Sequence, residues 1–133
     1  MDLTAADRTA ITELIAMHGH LCDDGDLDRL DEVLTPDVVY DLSGVGWLTL
    51  HGVAECVRVA RELGEGNPVG HHVTNVVLAA DGGGRVSARS KGIGVHADGT
   101  CASVTYRDTV VRTAAGWRIS HREVLPRRVP LGG

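Results

Sequence analysis

The sequence predicts an α+β fold in which helices pack on one strongly curved antiparallel sheet. Amphipathic segments with helical spacing fill the first half of the chain, and runs rich in Val, Thr, Ile and Tyr fill the second half. Turn sequences at residues 81–84, 98–99 and 114–116 divide the second half into four runs, which is the pattern of consecutive hairpins. With 133 residues the chain can bury a core of its own, so we expect one domain over residues 1–133.

Three helices are predicted before the first hairpin. The first follows Thr4, a residue type that caps helices by accepting a backbone hydrogen bond, and it ends in the acidic run "DDGD". Its apolar stripe consists of Ile11, Leu14, Ile15, His18 and Cys22. The second begins after Asp26 and stops at Pro36, which lacks the amide hydrogen that a helix needs. A strand over residues 37–42 separates it from a third helix over residues 51–66, which ends among glycines.

The first run of the second half, "HHVTNVVL", is apolar on both of its alternating faces. Strict alternation places His72 on the same face as Val76 and places His71 on the opposite face. A strand that is covered on both sides predicts a pocket or helix on one face and a subunit partner on the other. We therefore expect His72 to enter a pocket and His71 to face the outside or an interface.

The last run, "GWRISHREV", is predicted to bury one face of its strand in the core. Trp117 is large and apolar, so it is expected to pack inside. Alternation places Arg118 and Arg122 away from the core, where we expect them to form surface ion pairs.

Composition excludes several classes of partner. The net charge of -5 argues against nucleic-acid binding, and the chain offers neither a secretory leader nor an apolar run long enough to cross a bilayer. We therefore expect no nucleic acid, no membrane and a cytoplasmic location. Three cysteines without close spacing, Cys22, Cys56 and Cys101, are expected to be free thiols.

Three segments together carry a family resemblance. They are "DDGDLDRLDEVLTPDVVYD" in the first half, "GHHVTN" at the first hairpin, and "YRDTVVRTAAGWRISHREV" near the end of the chain. Their order resembles the SnoaL-like branch of the nuclear transport factor 2-like superfamily over nearly the whole chain. The resemblance implies a cone-shaped barrel whose bent sheet and three N-terminal helices enclose an apolar pocket. It also implies a homodimer, which we expect to form through the outer sheet face.

Within that branch, the catalytic positions of scytalone dehydratases can be matched to this sequence. The context "DDGDLDRL" is similar to the one that holds their catalytic aspartate, which falls on Asp23. Their two catalytic histidines fall on His72 and His96. Their pocket tyrosines, serine and asparagine fall near Cys22, Leu42, Val104 and Tyr106, so the resemblance implies the reaction class and not the substrate.

An aspartate next to a histidine makes a general base. The carboxylate accepts the Nδ1 proton and fixes the tautomer, so that Nε2 can take a proton near neutral pH. We expect Asp23 and His72 to form this pair and His96 to serve as the second acid or base. This chemistry needs no cofactor and suits dehydration, isomerisation or ring closure of a small apolar carbonyl compound of the polyketide type.

Four further residues are expected to bind the substrate. His18 lies on the apolar stripe of the first helix, and the rings of Tyr40, Trp47 and Tyr106 can stack on an apolar ligand. Seven histidines are many for this length, but His18 and His20 point to different faces of a helix and His71 and His72 diverge on a strand. We therefore expect no metal site.

Two other functions remain open. An epoxide hydrolase of the same fold requires two carboxylates around an arginine in the pocket. The candidates for that set are Asp41, Arg89, Arg107 and Asp108, and alternation does not bring them to Asp23. The second alternative is a non-catalytic module that binds a small molecule or assembles with other proteins through the same cone.

Overall fold

The computed structural model describes residues 2–132 and confirms the α+β fold. Its helices and strands are α1 (Ala5–Asp24), β1 (Leu34–Asp41), β2 (Thr49–His51), α2 (Val53–Leu63), β3 (Gly70–Ala80), β4 (Arg85–Val95), β5 (Cys101–Thr113) and β6 (Gly116–Pro126). Short 3₁₀ turns cover Leu27–Glu32, Ser43–Val45, Gly64–Gly66 and Pro130–Gly132. None of the helices in this described range is long and apolar enough to span a bilayer.

The six strands form one curved sheet in the order β2-β1-β6-β5-β4-β3, and the sheet does not close into a complete barrel. The three hairpins from β3 to β6 are antiparallel, as the turn sequences predict. One pair departs from the antiparallel expectation, because β1 lies parallel to β6. Parallel neighbours need a long crossover, and here most of the chain separates the two strands.

The helices cover the inner face of the sheet. Helix α1 packs against β3 and β6, and α2 packs against β1. Between them lies an apolar core whose most deeply buried members include Ile11, Ile15, Val38, Val86, Val110 and Ile119. The second predicted helix is the 3₁₀ turn Leu27–Glu32, and Pro36 lies inside β1 rather than ending a helix. The β1–β6 register shifts around this proline. Because proline has no amide hydrogen, the irregular pairing there costs no strand hydrogen bond.

Helix α1 begins with a reciprocal cap. The Thr4 hydroxyl accepts a hydrogen bond from the Asp7 amide at 3.0 Å, and the Asp7 carboxylate accepts one from the Thr4 amide at 3.1 Å. This backbone bond, together with the Arg112 guanidinium, lowers the pKa of Asp7 to about 2. At its other end the helix stops at Gly25, whose φ of 74° is the left-handed conformation that glycine adopts most easily.

A β-bulge interrupts the alternation of β3. The register with β4 shifts between Thr74 and Val77, and Asn75 adopts a left-handed φ of 59°. Because the bulge adds one residue to the strand, each side chain of β3 before the bulge points to the face opposite to the one that strict alternation predicts. His71 therefore lies on the inner face with Val76, and His72 is exposed on the outer face.

A second bulge acts in the same way on β6. The register with β5 shifts between Thr109 and Val110, which leaves Ser120 without a partner. Trp117 is buried, as the sequence predicts. The expectation that Arg122 lies on the surface is wrong, because the bulge turns this side chain inward, where it is 1% exposed. Arg118 likewise forms no ion pair with any of residues 2–132, and instead donates to the backbone carbonyls of Asp31 and Trp117.

Candidate functional site

A cavity of about 390 Å³ lies between α1, α2 and the inner face of the sheet. Its walls are mainly apolar side chains of β1, α2 and the segments next to them. The residues that bring polar or aromatic groups to the cavity include His18, Cys22, Tyr40, Trp47, His71 and His96. A small number of polar groups in an apolar pocket of this size is typical of small-molecule sites.

Asp23 and His71 form a close pair at this cavity. The Nδ1 atom of His71 lies 2.6 Å from Oδ1 of Asp23, and the backbone amide of His71 donates to Oδ2 of the same carboxylate at 2.9 Å. Both side chains are partly shielded, with 23% of the His71 and 21% of the Asp23 side chain exposed. Two bonds to one carboxylate fix its plane and assign the His71 proton to Nδ1, which leaves Nε2 free to accept a proton.

The expected partner of Asp23 was His72, and this expectation is wrong. His72 is exposed on the outer face of β3, and its neighbour His71 makes both bonds to Asp23. The reason is the bulge at Asn75, which reverses alternation over the start of the strand. The sequence does contain a signal for it, since asparagine is the residue type, after glycine, that most readily adopts a left-handed conformation inside a strand.

A buried ion pair lies behind the cavity. Arg122 donates from Nε and Nη2 to the two carboxylate oxygens of Asp108, at 2.7 and 2.8 Å. The third contact of the guanidinium joins Nη1 to Nδ1 of His18 at 3.3 Å. Burial, together with the charge of Arg122, lowers the pKa of His18 well below its usual range. His18 is therefore a neutral imidazole at physiological pH.

Three of the four residues expected to bind substrate line the cavity. Tyr40 stacks on His18, with ring centroids 5.8 Å apart. Burial raises the pKa of Tyr40 far above its usual range, so the phenol stays neutral. Trp47 lines the cavity and is 47% exposed. Tyr106 differs from the expectation. It is buried beneath the guanidinium of Arg122, 4.1 Å from ring centroid to Cζ, and is not among the residues that line the cavity.

His96 also lines the cavity, next to the turn between β4 and β5. Its backbone amide donates to the carbonyl of Thr100 at 2.9 Å, which closes that turn. The structure therefore brings His71, His18 and His96 to one cavity, and Asp23 is bonded to His71 there. The side chains of residues 2–132 contain no group of three or more His, Cys, Asp or Glu that could hold a metal ion.

Cys22 lines the cavity near the position where the resemblance places a pocket tyrosine. Its Sγ lies 3.9 Å from Nε2 of His18, and burial raises the pKa of the thiol to about 11. Cys56 lines the same cavity and its pKa is also about 11 because of burial. Both thiols are neutral. Both cysteines are free, and so is Cys101 at the surface.

Comparisons with known proteins agree with this fold. Two proteins of Novosphingobium aromaticivorans are similar in sequence and structure. One, provisionally assigned as an aromatic ring hydroxylase, is 28% identical with a TM-score of 0.82, covering 96% of this chain and 94% of the other. The other, a nuclear transport factor 2-like protein with a cystatin-like fold, is 29% identical with a TM-score of 0.78, covering 95% and 85%.

A more distant likeness shows the fold alone. It is to a provisionally assigned scytalone dehydratase of the same organism, at 17% identity and a TM-score of 0.75, covering 92% of this chain and 85% of the other. No curated protein matches the chain. The model of the SnoaL-like domain matches residues 3–123, which include both members of the Asp23–His71 pair. The chain therefore belongs to the SnoaL-like family.

Proposed function

We propose that this protein is a cofactor-independent lyase or isomerase that acts on small apolar carbonyl compounds. The observation that carries the proposal is the Asp23–His71 pair at an apolar cavity. Asp23 holds the proton of His71 on Nδ1, so Nε2 is the group available as a general base. A base of this kind contributes about 10²–10⁴-fold to the rate of proton transfer.

The reaction begins when Nε2 of His71 takes a proton from the carbon next to a carbonyl group. The electrons of the broken C–H bond form a carbon–carbon double bond, and the carbonyl electron pair moves to oxygen to give an enolate. If a hydroxyl group lies on the next carbon, the enolate expels it. The proton on His71 then leaves with that hydroxyl as water, and the reaction is a dehydration. Return of the proton to another carbon gives an isomerisation. Attack of the enolate carbon on a second carbonyl closes a ring, and the alkoxide formed at that carbonyl takes the proton from His71.

The cavity supports a small and largely apolar substrate. Its volume of about 390 Å³ suits a molecule of one to three fused rings, and its polar groups are few. Tyr40 and Trp47 provide flat surfaces for such rings. The provisional assignment of one structural neighbour as a scytalone dehydratase agrees with this class of chemistry.

The geometry supports an epoxide hydrolase less well. That reaction requires an arginine between two carboxylates at the pocket. Among residues 2–132, one carboxylate, that of Asp108, hydrogen-bonds to Arg122, and a further contact of the guanidinium is with the histidine His18. Both members of this ion pair are almost fully buried behind the cavity.

The test measures exchange of α-protons in D₂O, followed by NMR, for a panel of apolar ketones that includes 2-tetralone and 4-chromanone. We expect wild-type protein to accelerate exchange, and we expect His71→Ala and Asp23→Asn to lose about 10²-fold or more of this acceleration. His72→Ala is the matched control, because it removes the adjacent histidine from the outer face, and it should retain the wild-type rate.

Either of two results would contradict the proposal. One is equal exchange by wild type and His71→Ala, both folded by circular dichroism. The other is binding of the ketones without any accelerated exchange, which would favour a non-catalytic binding module.

A further inference from the structure

We infer that His18 is a second catalytic residue, a neutral hydrogen-bond donor for the substrate oxygen, and that the buried Asp108–Arg122 pair is what fixes the donor. The inference rests on the proposed function, since it names the group that receives the charge released by His71. It assigns the role of second histidine to His18 on helix α1 rather than to His96 at the β4–β5 turn.

The contact with Arg122 determines which nitrogen of His18 carries the proton. A guanidinium group has five N–H donors and no acceptor. The Nη1 atom of Arg122 lies 3.3 Å from Nδ1 of His18, so Nδ1 must accept this bond and cannot carry a proton itself. A neutral imidazole then has its only proton on Nε2. The burial and charge that lower the pKa of His18 keep the ring neutral, as this tautomer requires.

Asp108 fixes the orientation of the guanidinium. The two residues lie directly opposite each other on β5 and β6 and form a two-bond fork, with 1% of the Arg122 and none of the Asp108 side chain exposed. The ring of Tyr106 packs against the guanidinium, with 4.1 Å between the ring centroid and Cζ of Arg122. Arg122 can therefore present Nη1 in one direction only. Asp108 and Arg122 are positioning residues, because they act on the substrate through His18.

The proton of His18 is available to a ligand. On the Nε2 side the ring meets Sγ of Cys22 at 3.9 Å, and a thiol sulfur is a weak acceptor. Both residues line the cavity. A substrate oxygen placed beside them would be a much better acceptor than the thiol sulfur. A buried N–H group that has only a weak acceptor is stabilised most by such a new hydrogen bond.

This donor suits the charge that the proposed reaction creates. When His71 takes the α-proton, negative charge collects on the carbonyl oxygen, and an N–H group aimed at that oxygen stabilises it. The positive guanidinium on the opposite edge of the ring polarises the Nε2–H bond and strengthens it as a donor. His18 gives up no proton in this step. His71 carries the transferred proton, and His18 donates a hydrogen bond to the charged oxygen, so the two histidines have different roles.

His96 lacks a comparable arrangement. It lines the same cavity, but over residues 2–132 no hydrogen bond to its ring fixes a tautomer. The Asp108–Arg122 pair is the feature that distinguishes His18.

The first test reads the tautomer directly by ¹⁵N–¹H NMR of the histidine rings at pH 7, with the His18 signals assigned by their loss in His18→Leu. We expect protonated Nε2 and unprotonated Nδ1 in wild type. The double variant Asp108→Leu/Arg122→Met removes the buried charges together, which spares the fold the cost of one unpaired charge. In that variant the His18 ring should populate both tautomers.

The second test uses 2-naphthol as a probe, because its ionised form carries the oxygen charge of an enolate. We expect His18→Leu to weaken binding of 2-naphthol about tenfold or more. His20→Leu, on the exposed side of the same helix, should leave the affinity unchanged. An Nδ1-protonated or doubly protonated His18 in wild type would overturn the inference, as would equal affinity of wild type and His18→Leu, including no binding by either.

These outcomes are separate from those of the proposed function. The tautomer of His18 depends on Arg122 and not on His71, so it should persist in His71→Ala. Absence of proton exchange together with an Nε2-protonated, naphthol-binding His18 would refute the proposed function and leave the donor in place. Proton exchange that depends on His71, together with an Nδ1-protonated His18, would support the proposed function and refute the donor role of His18.

Discussion

Gly19 on α1 packs directly against the backbone of His71 on β3. A β-carbon at Gly19 would lie 3.1 Å from the carbonyl oxygen of His71 and 3.4 Å from its Cβ, which is tighter than ordinary contact. This close approach sets the distance between the helix that carries Asp23 and the strand that carries its partner. A glycine that weakens a helix in isolation is therefore used here to bring two functional groups together.

We predict that Gly19→Ala lowers His71-dependent ketone exchange about tenfold while the protein stays folded. The added methyl group pushes β3 away from α1, and small displacements of a base reduce proton transfer steeply. The measurement is the exchange rate of 2-tetralone alongside thermal unfolding. Ala16→Ser, on the exposed side of the same helix, is the control. A rate equal to wild type would show that the contact can relax without moving His71.

A second prediction concerns the bulge at Asn75. Because φ is 59° there, Asn75→Gly should retain the bulge and the exchange activity, whereas Asn75→Val should cost about 1–2 kcal/mol of stability and reduce exchange. Urea unfolding and ketone exchange of the two variants provide the comparison. If Asn75→Val and Asn75→Gly have the same free energy of unfolding and the same ketone exchange rate, the bulge does not control the position of His71.

A third prediction concerns the pH dependence of stability. The pKa of His18 is far lower in the folded protein than in the unfolded chain, so the unfolded chain binds the extra proton below pH 6.5. The contribution of His18 to the free energy of unfolding is therefore fully present above about pH 6.5. As the pH falls below this value, the contribution decreases by at most about 1.4 kcal/mol per pH unit.

Urea unfolding between pH 7.5 and 5 measures this effect. The decline in the free energy of unfolding should be shallower in His18→Gln than in wild type, and His20→Gln should behave as wild type does. Identical slopes for all three proteins would mean that the pKa of His18 is the same in the folded protein and the unfolded chain.

The cysteines provide a fourth prediction. A pKa of about 11 for Cys22 and Cys56, against 9.0 for an ordinary thiol, reduces their thiolate fraction about a hundredfold at pH 8. Iodoacetamide should therefore modify the exposed Cys101 first, as followed by peptide mass spectrometry. In 8 M urea all three should react at similar rates. Early labelling of Cys22 in the folded protein would contradict the shielding of its thiol.

A fifth prediction retains the expected homodimer. The outer sheet face carries the exposed apolar side chains Val77 and Ile93, and a second copy of the chain would cover them. We predict a dimer by analytical ultracentrifugation, and we predict that Val77→Asp shifts it toward monomer. Ala80→Asp, at the end of the same strand, is the control. A monomeric wild type at micromolar concentration would contradict this prediction.

Much of the fold follows from local patterns in the sequence. The capping sequence at Thr4, the three glycine-containing turns and the apolar periodicities specify where α1 and the four strands β3 to β6 lie. These features depend on residues a few positions apart, so they can be predicted without knowing the rest of the chain. Family membership and the placement of Asp23 at the end of α1 follow from motifs of the same short range.

The identity of the residues that meet Asp23 and His18 was decided only by the tertiary structure. Alternation assigns His72 to the pocket and Arg122 to the surface, and one bulge in each strand reverses both assignments. A bulge forms where two neighbouring strands fit their registers together, so it depends on partners that are distant in sequence. His71 meets Asp23 across 48 residues, and Arg122 meets His18 across 104. The sequence by itself determined which residue types were present, and the packing of the sheet determined which of them face the cavity.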